Sequence, residues 1–129
     1  KTNNIKNFGW PIASYGEHYG GKTNNNISKY KKYPLLKSHK NHGFIEPLKV
    51  FTPSIGISSI IGIGNKNYIT SSLKGKSIYF FNLDRNNKIE NFSSIIINER
   101  VRDIFYMNSK LYLFLEDTGT IGVINLVDL

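Results

Sequence analysis

From Ile57 onward the apolar positions fall in short runs, each closed by polar or glycine-containing turns. "ISSIIGI" (57–63) stops at Gly64-Asn65. "NYITSSL" (67–73) stops at Lys74-Gly75-Lys76, and "SIYFFNL" (77–83) at "DRNNK". Then come "IENFSSIIIN" (89–98), "RVRDIFYM" (100–107), "KLYLFLE" (110–116) and "TIGVINL" (120–126). β-Branched and aromatic residues dominate, so each run predicts a strand. No stretch predicts a helix. Residues 1–49 differ: they are rich in Asn, Gly, Lys and Tyr, and hold neither a period of 2 nor one of 3.6. "GWP", "YGEHYGG" and "KTNNN" are turn chemistry. This region predicts a long loop ending in one short strand, Leu48 to Phe51. A loop of that length is usually functional or an excursion from the fold.

An internal repeat sets the expected architecture. At an offset of 44, residues 60–83 lie on the segment that begins at Ile104. Ile60 meets Ile104, Lys66 meets Lys110, Tyr68 meets Tyr112 and Gly75 meets Gly119. The two glycines fall in the same hairpin turn, where a positive φ is expected. Several short strands per repeat of this length mark a β-propeller blade, although two unrelated meanders can resemble each other. The reading is all-β, a partial propeller. Residues 1–49 are a loop-rich insertion, 50–98 one blade, and 99–129 an incomplete final blade. A blade has four strands and the second copy supplies three. The missing outer strand is expected from a distant part of a longer chain. Unpaired edges and half a core make the isolated chain prone to association.

Composition narrows the function classes. There is no cysteine, which excludes disulfides and thiolate chemistry. No apolar run approaches the roughly 20 residues of a membrane-spanning helix. The sequence opens on Lys1 with no visible signal peptide, as expected for a piece of a longer protein. The net charge is +8, but Asn, Ile and Lys fill 48 of 129 positions, a bias typical of AT-rich coding. Much of the charge is lysine, crowded at Lys29, Lys31, Lys32, Lys37 and Lys40. A nucleic-acid surface would be richer in arginine with interleaved aromatics, so none is expected.

"NERVRDI" (98–104) holds the candidate chemistry. Arg100 and Arg102 are two apart, so strand alternation points both guanidiniums the same way. Either they form a salt-bridged blade edge with Glu99 and Asp103, or an anion sits before them. His39 and His42 lie three apart in a loop without a third ligand, and Glu17-His18 lacks a partner, so neither predicts a metal site. No nucleophile elbow, dinucleotide fingerprint or phosphate loop appears. Trp10, Tyr15, Tyr19, Tyr30 and Tyr33 fit either loop packing or an aromatic wall for a sugar.

Four segments resemble motifs of one family, in that family's order. "NFGWPIASYGEHYGG" resembles the "NYGWP" loop of soluble pyrroloquinoline quinone (PQQ) dependent sugar dehydrogenases, the glucose/sorbosone and aldose sugar dehydrogenase-like proteins. "FTPSIGIS" resembles that family's proline-serine stretch, "SSLKGKSIYFFNLD" its lysine hairpin, and "NERVRDI" its "RxRDV" strand. The resemblance implies a six-bladed propeller that oxidises aldose sugars at C1 and passes two electrons to PQQ. It places cofactor contacts on Lys74, Arg100, Arg102 and Ser54, with Phe51 offering an apolar face. It implies calcium and a histidine base in the parent, in portions that precede this chain. His18, His39 and His42 do not match that base. It also implies a sugar substrate, an electron acceptor, the remaining blades as partners, and a periplasmic or secreted location. Two departures stand out. Phe51 replaces the family's tryptophan and lacks the indole N–H, and Phe8 replaces its tyrosine. A non-catalytic propeller of this family therefore stays open, as does a calcium-dependent lactonase-like hydrolase.

Overall fold

The computed structural model describes residues 6–126 and divides into two compact units, Lys1–Thr52 and Pro53–Leu129. The outer ends of the expected segments 1–49 and 99–129 lie outside the described residues. The first unit is mostly irregular. Gly9 turns the chain at φ 85°, in a pocket where a Cβ would meet the Phe44 ring at 2.8 Å. The Trp10–Pro11 bond is cis. Ala13, fully buried, pairs in parallel with Leu36.

Two expectations fail in this unit. A helix, α1 (Ile27–Lys32), follows the asparagine turn, closed by the Tyr33 N–H donating to the Lys29 carbonyl at 2.7 Å. It is six residues long and buries none of them, so it leaves no apolar stripe in the sequence. Its three lysines lie in the last turn, where the helix dipole favours positive charge. The expected strand from Leu48 to Phe51 is irregular chain. Pro47 and Pro53 bracket it, and Leu48 and Val50 remain exposed, so no sheet face receives them.

The second unit follows the predicted strands. β1 (Ile57–Gly62), β2 (Asn67–Ser72), β3 (Ser77–Leu83) and β4 (Ile89–Ile96) form one antiparallel sheet in sequence order. β5 (Val101–Met107), β6 (Lys110–Leu115) and β7 (Thr120–Asn125) form a second. This is the meander expected of one blade and three strands of another. Ile69, Ile78, Val101, Ile104, Leu111 and Leu113 make the core between the sheets.

The two sheets repeat each other down to an irregularity. The β1–β2 register slips between Ile57 and Ser59, and the β5–β6 register between Val101 and Asp103. The extra residues, Ser58 and Arg102, are related by the offset of 44. Each is a β-bulge, with two residues facing one. The Ser58 hydroxyl donates to the Val101 carbonyl at 2.6 Å, joining the first blade's bulge to the start of the second blade's first strand.

Past the first hairpin the offset becomes 43. The β5–β6 turn is one residue tighter, so left-handed Asn65 and Lys66 correspond to left-handed Asn108 and Ser109. Lys66, Tyr68 and Gly75 therefore match Ser109, Leu111 and Thr118, not the residues first expected. In the next turn the positive φ belongs to Lys76 (47°) and Gly119 (67°). Gly75 has no positive φ and is needed for room. A Cβ there would lie 2.7 Å from both the Ser72 and the Tyr79 hydroxyl oxygens.

Matching positions face the same way, so burial depends on whether a neighbouring sheet is present. Val101 and Ile104 are 0% and 3% exposed against the first sheet, whereas their counterparts Ile57 and Ile60 are 56% and 60% exposed. On the other side Ile78 is fully buried and its counterpart Ile121 is 59% exposed. Tyr68, Phe81, Phe92 and Tyr79 stack along the outer face of the first sheet, with centroids 5.4 to 6.4 Å apart. Both outward faces are thus apolar, like the middle of a stack of blades.

A polar tie joins the sheets at one end. The Lys76 ammonium pairs with Asp117 at 2.9 Å. This holds the Asp117 carboxyl below the usual aspartate range, helped by the Arg100 backbone N–H.

Two outcomes follow. The 129-residue chain alone should self-associate at micromolar concentration and melt over a broad range, because Ile57 and Ile60 on one outward face and Ile121 and Val123 on the other are uncovered. A sharp monomeric transition in calorimetry would contradict this. Asp117 favours the folded state at neutral pH, and that contribution disappears as pH falls through its depressed folded value. An NMR titration of its side-chain carbon should give a midpoint that rises in Lys76→Ala; an unmoved midpoint would rule the tie out.

Candidate functional site

Strand order fixes which loops meet. In an antiparallel meander every second connection lies at the same end. One end of the two sheets therefore gathers the lead-in to β1, the β2–β3 turn, the β4–β5 connection and the β6–β7 turn. Ser54, Lys74, Arg100 and Arg102 all fall at this end, although 48 positions separate the first from the last.

Backbone bonds bring Ser54 and Lys74 into one substructure. The Lys74 and Gly75 N–H groups both donate to the Ile55 carbonyl at 2.9 Å, and the Leu73 N–H donates to that of Gly56 at 2.8 Å. The segment 54–56 thus wraps the hairpin tip. The Ser54 hydroxyl accepts from the Gly56 N–H at 3.4 Å, and the side chains of Ser54 and Lys74 are exposed.

Arg100 and Arg102 converge on one carboxylate, that of Glu116. Arg100 Nε donates to Glu116 Oε1 at 3.2 Å, and Arg102 Nη2 pairs with Oε2. Two guanidiniums hold the two oxygens of one carboxylate, a geometry a lysine pair does not match. The acids expected as partners are engaged elsewhere. Glu99 accepts from the Thr118 N–H (3.2 Å) and hydroxyl (2.8 Å), and Asp103 from the Ile104 N–H (2.8 Å).

Simple alternation is not what brings the arginines together. Asp103 through Met107 pair with β6 in one register, but beyond the bulge at Arg102 Val101 faces Leu115. The slip moves Arg100 opposite Glu116, where an unbroken register would have set it against Asp117. The missed residue is therefore Glu116. Its signal was in the sequence: Val101 and Ile104, both apolar and three apart in a strand, need a bulge to face the same way.

Phe51 closes the first unit, half-buried, with the Lys49 ammonium 6.0 Å from its ring centroid. In that unit His39 is buried, stacks on Tyr15 (5.3 Å) and bonds through Nδ1 to the Phe8 carbonyl (3.1 Å). His18 bonds through Nε2 to the Tyr33 carbonyl at 2.8 Å and meets Tyr30 edge-on. The Lys40 backbone N–H, at 2.8 Å, and the Tyr15 hydroxyl, at 2.9 Å, hold the Glu46 carboxyl low, and the latter bond raises the Tyr15 hydroxyl. Tyr15 and Tyr30 therefore take part in loop packing. Trp10 and Tyr19, by contrast, stand 78% and 100% exposed beside an apolar cleft of about 610 Å³. Among the described residues no three His, Asp or Glu side chains gather as a cation site, and no helix is long and apolar enough to cross a membrane.

The uncharacterized protein slr1608 of Synechocystis sp. is 27% identical over 106 residues, covering 77% of this chain and 23% of that protein. The chain thus spans about a quarter of that relative's length. No solved structure matches the chain. The family model described as Glucose / Sorbosone dehydrogenase matches residues 2–123, and the chain belongs to that family.

Proposed function

We propose that this chain is the C-terminal part of a propeller oxidoreductase that oxidises aldose sugars with PQQ, and that it supplies cationic contacts to the cofactor. The carrying observation is the grip of Arg100 and Arg102 on one carboxylate. Glu116 stands in for a ligand carboxylate there, so the donor set suits a polycarboxylate. When bound, the cofactor would supply an ortho-quinone that accepts two electrons from the sugar.

The chain's own residues have narrower tasks. Arg100 and Arg102 bind and orient carboxylate oxygens. Lys74, at the exposed tip at the same end, offers positive charge to an oxygen that becomes more negative on reduction. Ser54 adds a hydroxyl beside that tip. The general base and the calcium ligands are assigned to portions of the parent outside this chain, so the fragment alone is inactive. Trp10 and Tyr19 present aromatic faces suited to stacking on sugar C–H surfaces. A periplasmic or secreted location and a separate electron acceptor complete this reading.

One observation favours a second reading, a family member that binds a partner without oxidising a sugar. Glu116 already satisfies both arginines, so the pair is complete with no ligand. Cofactor uptake separates the two. In full-length protein with calcium, PQQ binding followed by absorbance should weaken at least a hundredfold in Arg100→Ala/Arg102→Ala, since each charged hydrogen bond contributes about 1.5–3 kcal/mol. Unchanged uptake in that variant would remove the arginines from the site, and no uptake by the unmodified protein would favour the binding module.

A further inference from the structure

We infer that Glu116 is a resident counter-anion of the Arg100–Arg102 pair, one that an incoming carboxylate must displace. The inference deepens the cofactor reading and rests on it for the identity of the natural ligand.

Three features support it. First, Glu116 uses both of its oxygens, one on each guanidinium, so it occupies the ground a bound carboxylate would need. Second, its side chain is accessible. Glu116 lies just past the end of β6, and its side chain is 35% exposed. Its backbone N–H donates to the Arg100 carbonyl at 2.9 Å, so the backbone is anchored independently of the side chain. Third, the neighbouring acids are bound elsewhere. Asp117 serves Lys76 and the Arg100 N–H, and Glu99 serves Thr118. Displacing Glu116 therefore leaves both arginines available without unmaking the rest of the loop cluster.

The consequence is an exchange of one carboxylate for another. Part of the ligand's affinity is spent on releasing Glu116, and the displaced carboxylate remains nearby as a competitor. Occupancy of the pair thus depends on the ligand offering more than one carboxylate, or further contacts with Lys74. A simple monocarboxylate gains little over Glu116 and is rejected. Glu116 thereby acts as a specificity filter for polycarboxylates.

The test uses full-length protein, with pyridine-2,6-dicarboxylate and PQQ titrated separately by calorimetry. Glu116→Gln keeps the size of the side chain and removes its charge. It should tighten dicarboxylate binding about tenfold, the combined worth of two exposed ion pairs, and the gain should vanish when Arg100→Ala/Arg102→Ala is added. Glu116→Ala should show the same gain, which guards against a folding defect peculiar to one variant. Equal, weaker or undetectable dicarboxylate binding in the Glu116 variants overturns the inference, as does a gain that survives loss of the arginines. PQQ separates this from the cofactor reading. Arg-dependent dicarboxylate gain with no PQQ binding leaves Glu116 as the counter-anion and removes PQQ as the ligand. PQQ bound equally by both proteins keeps the cofactor and removes the competition.

Discussion

The candidate site depends on a spacing in the core. Val101 and Ile104 both enter the apolar layer between the two sheets, yet a regular strand sends residues three apart to opposite faces. Burying both requires one residue to be taken out of the ladder, and that residue is Arg102. The bulge leaves its side chain outside the core and slips the register behind it. Arg100 then stands opposite Glu116, and a single carboxylate meets two guanidiniums. Hydrophobic burial thus sets where charge collects. The same device recurs one repeat earlier, where Ser58 takes the place of Arg102 and its hydroxyl ties the two blades together.

The blades supply the scaffold and the turns supply the chemistry. Successive sheets present matching apolar sides, which is why buried Val101, Ile104 and Ile78 have exposed counterparts, Ile57, Ile60 and Ile121, a repeat away. The polar residues cluster where the strands end, at the connections. Lys76, Asp117, Glu99 and Thr118 lock the loops to one another, and Gly75 lets the chain pass within contact of two hydroxyls. The exposed tip at Lys74 and the arginine pair are held at one end by this framework.

Much of this was legible in the sequence, for identifiable reasons. All seven strands carried their own signal in β-branched and aromatic runs ending at turn residues. The repeat was visible too, but its offset drifts by one at the first hairpin, and sequence matching paired Gly75 with Gly119 where the backbone pairs Lys76 with it. A glycine and a lysine share that left-handed slot, so residue identity misled. Helix α1 was invisible because a six-residue helix that buries none of its residues has no apolar stripe to announce it. The Leu48–Phe51 segment had strand-like residues but no sheet to join. Of the site, the arginine pair could be read directly. Glu116 was legible only indirectly, through the Val101–Ile104 spacing that demands the bulge and shifts the register.

The proposed seat for a ligand carboxylate, built by the bulge at Arg102 and held in the meantime by Glu116, is open to direct observation. A crystal structure of the full-length protein with calcium and PQQ tests it most directly. One cofactor carboxylate should lie within about 3 Å of both guanidiniums, with the Glu116 side chain turned away. A bound cofactor lying elsewhere, with Glu116 still between Arg100 and Arg102, would contradict it.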